Sequence, residues 1–219
     1  MTTDTGNSIL IDTPPEFRVI VLERRIRRID AVLYTHSHAD HIFGMDDLRA
    51  FNYIQKNAIP LYAQADVLDD LRRSFAYCFI ETQAGGGKPQ LLLQEISANR
   101  SFGLFGLSVL PLAVMHGTLP ILAYKLGSNA AYVTDVSKIL PESVPHLQNL
   151  DLLFLDAVRY EPHSTHFHLQ RALEVVRELN PRRCFLVHLS HDYDHDAVNE
   201  QLPAGVQLAY DGLEVDVSQ

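Results

Sequence analysis

The stretch Ile29-Asp30-Ala31-Val32-Leu33-Tyr34-Thr35-His36-Ser37-His38-Ala39-Asp40-His41 decides how this chain is read. An apolar run of strand length ends in three imidazoles and a carboxylate packed into six residues. Neutral imidazole nitrogen and carboxylate oxygen are the donors that zinc and its borderline neighbours bind. Side chains alternate in extended chain, so His36 and His38 point the same way. A helix beginning near Asp40 turns Asp40 and His41 toward a second point, and one H-x-H-x-D-H segment then serves two metal ions. A histidine tag or a solvated polar turn also clusters histidines, and the chain has eleven of them. A tag is terminal and carries no ordered carboxylate, whereas this cluster lies between a strand-like run and the helix-like Ile42 to Phe51.

With 219 residues the chain can bury one substantial core, which predicts a single domain over 1–219. Its apolar fraction of 47% and charged fraction of 21% are ordinary for a soluble globular protein. A formal net charge of -9 argues against an extended nucleic-acid footprint, because phosphate backbones demand clustered Lys and Arg. The densest basic stretch, Arg24-Arg25-Ile26-Arg27-Arg28, reads as a solvated helix face. Cys78 and Cys184 form neither a disulfide framework nor a C-x-x-C pair and read as small core hydrophobes. Any metal must therefore be held mainly by His and Asp. Met1 to Ser8 is polar and no apolar run reaches membrane-spanning length, so neither a signal peptide nor a membrane partner is visible. The expectation is a cytoplasmic enzyme.

Outward from the cluster, Ile9 to Asp12 reads as a short strand stopped by Thr13-Pro14-Pro15, and Glu16 to Ile29 as a helix. Asp46 to Gln55 continues helically and Ile59 to Tyr62 is a further strand. Asp66 to Phe75 is an amphipathic helix with Leu68, Leu71 and Phe75 at helical spacing. Thr82 to Pro89 contains Gly85-Gly86-Gly87, without the strand-to-helix context or Lys-Ser/Thr pair of a phosphate loop, and reads as a flexible loop over the site. Strands follow at Leu91 to Ile96, Gly106 to Val114, Ile121 to Gly127 and Ala130 to Thr134, with a hairpin signal at Gly127-Ser128-Asn129. The last third alternates: strand Leu152 to Leu155, helix Leu169 to Leu179, strand Cys184 to Leu189, helix Ala197 to Gln201, then a terminal strand. Helices interspersed with strands throughout indicate α/β layering.

More ligand types stand at the ends of these strands. His116 follows the strand reaching Val114, Asp135 ends Tyr132-Val133-Thr134-Asp135, and His188 ends Phe185-Leu186-Val187-His188. Each alone would more often be a satisfied polar residue at a strand end. Together with H-x-H-x-D-H they form a set.

The order H-x-H-x-D-H, His, Asp, His resembles the metallo-β-lactamase superfamily of binuclear hydrolases. That resemblance implies a four-layer αβ/βα sandwich with metals at one edge. It also implies that His36, His38 and His116 hold one ion, Asp40, His41 and His188 the other, with Asp135 bridging. The segments Ile9 to Arg18, Gly44 to Arg49, Pro162-His163-Ser164-Thr165-His166 and Ala209-Tyr210-Asp211-Gly212 are similar to the branch of phosphoribosyl 1,2-cyclic phosphate phosphodiesterase. Members usually begin with a further strand or two, a Gly-Thr-Gly turn and a cysteine-bearing loop before the segment matching Ile9. The implied fold is therefore one lacking the usual first N-terminal strands.

The resemblance implies metal-dependent attack on a small phosphodiester, cyclic substrates included, with His166 as general acid. Asp156, after Leu152-Leu153-Phe154-Leu155, is placed to hydrogen-bond that imidazole; a strand cap or a partner to a metal ligand is the plainer reading of it. His163 is the rival acid and a substrate contact, and Arg159 a contact for phosphate or else a surface arginine. His168, His191 and His195 are weaker candidates. His and Asp ligands accept zinc, manganese or iron, so the cofactor expectation is two divalent ions of unassigned identity. A homodimer is compatible with this reading. The rival enzyme is a thioesterase or lactonase of the glyoxalase II kind, which needs no phosphate pocket; a tRNA-maturation nuclease lacks a basic RNA-grasping arm here. A catalytically impaired metal-binding domain would have lost ligands, and none is lost.

Overall fold

A computed structural model describes residues 1–81 and 87–217. The chain divides into two compact units, Met1–Ser97 and Ala98–Gln219, each with its own sheet and core.

The first unit is built from β1 (Ile9–Ile11), α1 (Phe17–Glu23), β2 (Ala31–Leu33), α2 (Ala39–Ile42), a 3-10 turn (Met45–Leu48), α3 (Arg49–Gln55), β3 (Ile59–Ala63), α4 (Ala65–Ser74), α5 (Ala76–Phe79) and β4 (Leu91–Glu95). Its four strands pair in parallel in the order β1-β2-β3-β4. Parallel neighbours need crossover connections, which the helices supply. All of β2 is buried, which is why Ala31-Val32-Leu33 reads as a continuous apolar run rather than an alternating one. Val32, Leu61, Leu68, Leu71, Phe17 and Phe51 belong to one core cluster.

The helix expected over Glu16 to Ile29 stops early, at Glu23. Arg25 takes a left-handed φ of 53° while Ile26 N–H bonds Val21 O and Arg25 N–H bonds Leu22 O. That pair of bonds is a Schellman termination, formed here without the usual glycine. The arginines from Arg24 to Arg28 thus lie on an exposed turn beyond the helix, not on a helix face. The helical stretch after the histidine cluster is likewise broken into α2, the 3-10 turn and α3.

The second unit contains β5 (Phe102–Leu104), β6 (Leu107–His116), β7 (Leu119–Leu126), β8 (Ala130–Val133), β9 (Lys138–Ile139), α6 (Val144–Leu147), β10 (Leu152–Asp156), α7 (Leu169–Leu179), β11 (Cys184–Val187), α8 (His195–Asn199) and β12 (Val206–Leu208). Its sheet runs β12-β11-β10-β8-β7-β6-β5, with β9 paired to β6. The meander β5 to β8 is antiparallel, whereas β8, β10, β11 and β12 are mutually parallel. The hairpin at Gly127-Ser128-Asn129 pairs Leu126 with Ala130, and Gly127 supplies the positive φ, 63°, that the turn requires. The short strands β5 and β9 were not legible beforehand. Helix α7 buries Ala172, Val175, Val176 and Leu179 and ends on Asn180, a residue that tolerates the left-handed cap.

Cys78 and Cys184 are both buried free thiols, in different units. Among the described residues no helix is long and apolar enough to cross a membrane. Residues 82–86 of the glycine loop expected over the site lie outside the described residues.

Candidate metal centre

The ligand types read from the sequence fall at strand ends in both units. In the first unit the chain leaves β2 through Tyr34 and Thr35 into His36, and His38 caps α2 in extended backbone. Asp40 and His41 lie in that short helix. His36 is 1% exposed and His41 6%, so two imidazoles are withdrawn from water. The ring of His36 lies 4.5 Å from that of His38 and 4.1 Å from that of His41, centroid to centroid.

Asp12 organises this half, and the sequence reading assigned it no role. It follows β1 with a left-handed φ of 59° and is 5% exposed. Its Oδ1 accepts the Thr35 N–H at 2.8 Å, and its Oδ2 accepts both the Thr35 hydroxyl and His41 Nδ1–H at 2.8 Å. With its proton given to Asp12, the Thr35 hydroxyl accepts from His36 Nδ1–H at 2.9 Å. Both imidazoles are thereby fixed in the tautomer that turns the Nε2 lone pair outward. Outer partners on the second nitrogen are how proteins orient histidines that bind metals. His41 Nε2 stands 3.4 Å from Asp40 Oδ2, a nitrogen and an oxygen donor side by side. Burial raises the Asp12 carboxyl above its usual range, opposed by His41 and Thr35.

Thr13 locks the same turn. Its N–H bonds His41 O at 2.7 Å, its C=O accepts Gly44 N–H at 2.8 Å, and its hydroxyl pairs with Tyr34 Oη at 2.9 Å. Gly44 has to be glycine because a Cβ there would sit 2.3 Å from Pro14 O and 2.7 Å from Phe17 Cβ. The motif segments around Asp12-Thr13-Pro14 and Gly44 are therefore one packed corner.

In the second unit, His116 ends β6 and is 8% exposed. Its Nδ1–H donates to Thr165 O at 2.8 Å, again leaving Nε2 as the donor atom for a cation. Gly117 follows at φ 62°, where a Cβ would meet Thr165 Cγ2 at 2.7 Å. Asp135 follows β8, 2% exposed, with Oδ2 accepting from Thr134 Oγ1 at 2.5 Å. Its Oδ1 lies 3.2 Å from His188 Nε2, just beyond β11. Asp135 and His188 both have left-handed backbone, φ 53° and 59°. With Asp12, three of these residues adopt a conformation that costs about 1–2 kcal/mol each outside glycine and persists only where surroundings impose it.

His166 reaches this cluster from the loop before α7. Its Nδ1–H donates to Asp156 Oδ2 at 3.0 Å, and its ring stacks on His188 at 4.8 Å with an interplanar angle of 15°. It lies 4.6 Å from the His116 ring. Donor atoms of His116, Asp135 and His166 all lie within 4.8 Å of one another, as do those of Asp156, His166 and His188. Asp156 is fully buried; Oδ2 also accepts the Val136 N–H at 2.9 Å, while Oδ1 has no hydrogen-bond partner. Desolvation pushes its carboxyl up to about 8, His188 pulls it down and Asp135 raises it further.

Imidazoles packed this closely cannot all be protonated without mutual repulsion, and the buried carboxylates beside them carry a desolvation cost when ionised. A divalent cation answers both demands. The donor set is nitrogen and oxygen only, and the tautomers aim Nε2 lone pairs; the residues present fit such an ion.

The remaining candidates lie differently. His163 Nδ1 accepts from Thr165 N–H at 3.3 Å and meets its hydroxyl at 3.2 Å, with its ring 5.0 Å from that of His166. Desolvation first, then neighbouring imidazoles and Arg159, lower its pKa. Arg159 donates from Nε to Glu161 O and from its guanidinium NH2 to Pro162 O, bracing its own loop. His168 caps α7, and the side chains of His191 and His195 are 97% and 41% exposed. Asp12 could have been noticed from the sequence, since Ile9-Leu10-Ile11-Asp12 has the same apolar-strand-then-Asp pattern as Tyr132 to Asp135.

The family described as "Beta-lactamase superfamily domain" matches residues 4–189. A solved structure of a new diphosphatase from the PhnP family is 41% identical and superposes with a TM-score of 0.88, covering 97% of this chain and 80% of that one. Zn(2+)-bound PqqB from Methylobacterium extorquens is 19% identical with a TM-score of 0.77, covering 99% of this chain and 86% of that one, a likeness of fold. An octanoyltransferase of Porphyromonas gingivalis strain W83 is 38% identical over 219 residues, 99% of this chain; the chain spans 44% of that relative's length. The α/β sandwich class expected from the sequence holds.

Proposed function

This chain belongs to the beta-lactamase superfamily, and from this premise we propose that it is a metal-dependent hydrolase that cleaves a small phosphodiester at a binuclear centre. In this reading His36, His38 and His116 would hold one divalent ion and Asp40, His41 and His188 the other, with Asp135 available to both. The observation that carries it is the set of imidazoles held through Nδ1, by Thr35, Asp12 and the Thr165 carbonyl, so that Nε2 serves as ligand. The likeness to a PhnP-family diphosphatase supports phosphorus over carbon as the centre attacked.

When bound, the ions would offset the charge of the phosphodiester and lower the pKa of a water. The protein's own residues manage the departing group. His166 gives its Nδ1–H to Asp156 at 3.0 Å; with bound cations offsetting the burial that otherwise keeps this carboxyl protonated up to about 8, Asp156 would be a carboxylate that favours the imidazolium. The Nε2–H of that imidazolium is then the proton delivered to the leaving oxygen. His163, whose Nδ1 accepts from Thr165 N–H, keeps its remaining proton on Nε2 and offers a neutral donor to a phosphate oxygen. Arg159 holds the loop that carries it.

The test is metal analysis of purified protein joined to hydrolysis of bis(p-nitrophenyl) phosphate and a panel of cyclic and linear phosphodiesters. About two zinc, manganese or iron ions per chain are expected, with turnover lost on chelation and restored by adding the ion. Metal-replete protein that leaves every phosphodiester intact would refute the substrate class. A second reading, acyl hydrolysis, draws on the Porphyromonas gingivalis relative named an octanoyltransferase, although this chain spans 44% of it. Octanoyl thioesters belong in the same panel and would favour that reading if they alone are turned over.

A further inference from the structure

Ser37 stands between His36 and His38, and alternation along extended chain sends its side chain away from theirs. There its Oγ donates to Asp70 Oδ2 at 2.5 Å. Asp70 lies in the middle of α4, 33 residues downstream, and its other carboxylate oxygen accepts from Arg73 one helical turn on. The carboxylate is therefore oriented from its own helix, with Oδ2 left facing the histidine turn. The Ser37 bond, aided by Arg73, holds the Asp70 carboxyl below the usual range although burial acts the other way.

The turn needs such a hold. His36 and His41 are buried and tied through Nδ1 to Thr35 and Asp12. His38, Ala39 and Asp40 are exposed, so packing does little to fix the segment between the two anchored histidines. A carboxylate on a well-formed helix, itself braced by an arginine, supplies what packing does not. Asp70 touches neither a ligand atom nor any reacting group.

We propose that Asp70 is a positioning residue for the metal-binding turn, holding His36 and His38 at ligating separation through Ser37. The proposal rests on the ligand assignment made above. Its test is the zinc affinity of the whole chain, read by competition with a chromophoric chelator, together with urea unfolding of the chelated protein. Asp70→Ala and Ser37→Ala should each weaken zinc binding about 10-fold, the usual worth of an outer partner. The double variant should bind no more weakly than either single one, because both remove the same bond. Asp70→Asn keeps an acceptor for the Ser37 hydroxyl and should recover most of the affinity. The chelated variants should unfold at the wild-type urea concentration. Wild-type affinity in Asp70→Ala, losses that multiply in the double variant, or an equal loss of stability in the chelated protein would each overturn the role. A wild-type chain that binds no zinc, manganese or iron would instead remove the ligand assignment itself.

Discussion

Asp156→Asn separates a buried charge from the shape that surrounds it. The wild-type carboxyl is fully buried, and desolvation raises it from 3.8 to about 8 despite the opposing pull of His188. A group whose folded-state pKa lies above its unfolded value contributes stability that is complete below the unfolded pKa. That contribution is lost as pH rises through the folded pKa. For the cation-free protein the window runs from about 4 to about 8. At about 1.4 kcal/mol per pH unit, the wild type should lose on the order of 5 kcal/mol across it as this group ionises. Asparagine fills the same volume and keeps an oxygen for the Val136 N–H and for His166, but it does not ionise. The quantity to measure is the difference in unfolding free energy between wild type and variant, from urea titrations in excess chelator at a series of pH values. Titrating groups remote from Asp156 are common to both proteins and cancel in that difference, whereas His166, His188 and Asp135 respond to the loss of its charge and their share is included in it. The variant should gain steadily on the wild type from acid to mildly alkaline pH. A difference that stays flat would refute the reasoning, since Asp156 would then ionise in the folded protein as readily as in water. Under the proposed ligand assignment, saturating divalent ion should shrink the effect, because cations beside Asp135 and His188 would compensate the charge.

Three further outcomes follow from the same geometry. His166→Ala should leave metal content intact while turnover falls by about 10²–10⁴, the worth of general acid catalysis; loss of the ions instead would mark His166 as a ligand, a position its closeness to His116 and Asp135 also permits. Asp12→Asn removes the anionic partner of His41 Nδ1–H and should weaken zinc or manganese binding by about 10–100-fold in a chelator competition, with unchanged affinity counting against the role. Gly44→Ala drives a Cβ into Pro14 O and Phe17 Cβ, atoms that cannot swing aside, and should cost about 1–3 kcal/mol of stability in urea; a variant as stable as wild type would show that the corner yields.

Much of the fold was legible because local periodicity and burial agree. Helix α7 spans the expected Leu169–Leu179, since its apolar residues recur at helical spacing and its C-cap is an asparagine suited to the left-handed turn. Helix α1 was overextended because nothing in Arg24-Arg25 announces a Schellman termination, which forms here on an arginine. The exposed arginines that looked like a helix face are a turn for the same reason. Strands β5 and β9 are too short for their own pattern and exist through pairing with β6.

The candidate site divides along the same line. Which residues carry metal-binding chemistry was written in the chain, since donor atoms, their spacing in H-x-H-x-D-H and their positions after apolar strands are local properties. Tertiary structure alone decided how those donors are aimed. Asp12 reaches Thr35 and His41 across 23 and 29 residues, Thr165 reaches His116 across 49, and Asp70 reaches Ser37 across 33. A hydrogen bond spanning such separations has no signature in sequence, because it depends on where parallel strands and their crossovers bring two distant backbones. The tautomer of each imidazole, and the pKa of a carboxyl such as Asp156, exist only once that packing has excluded water.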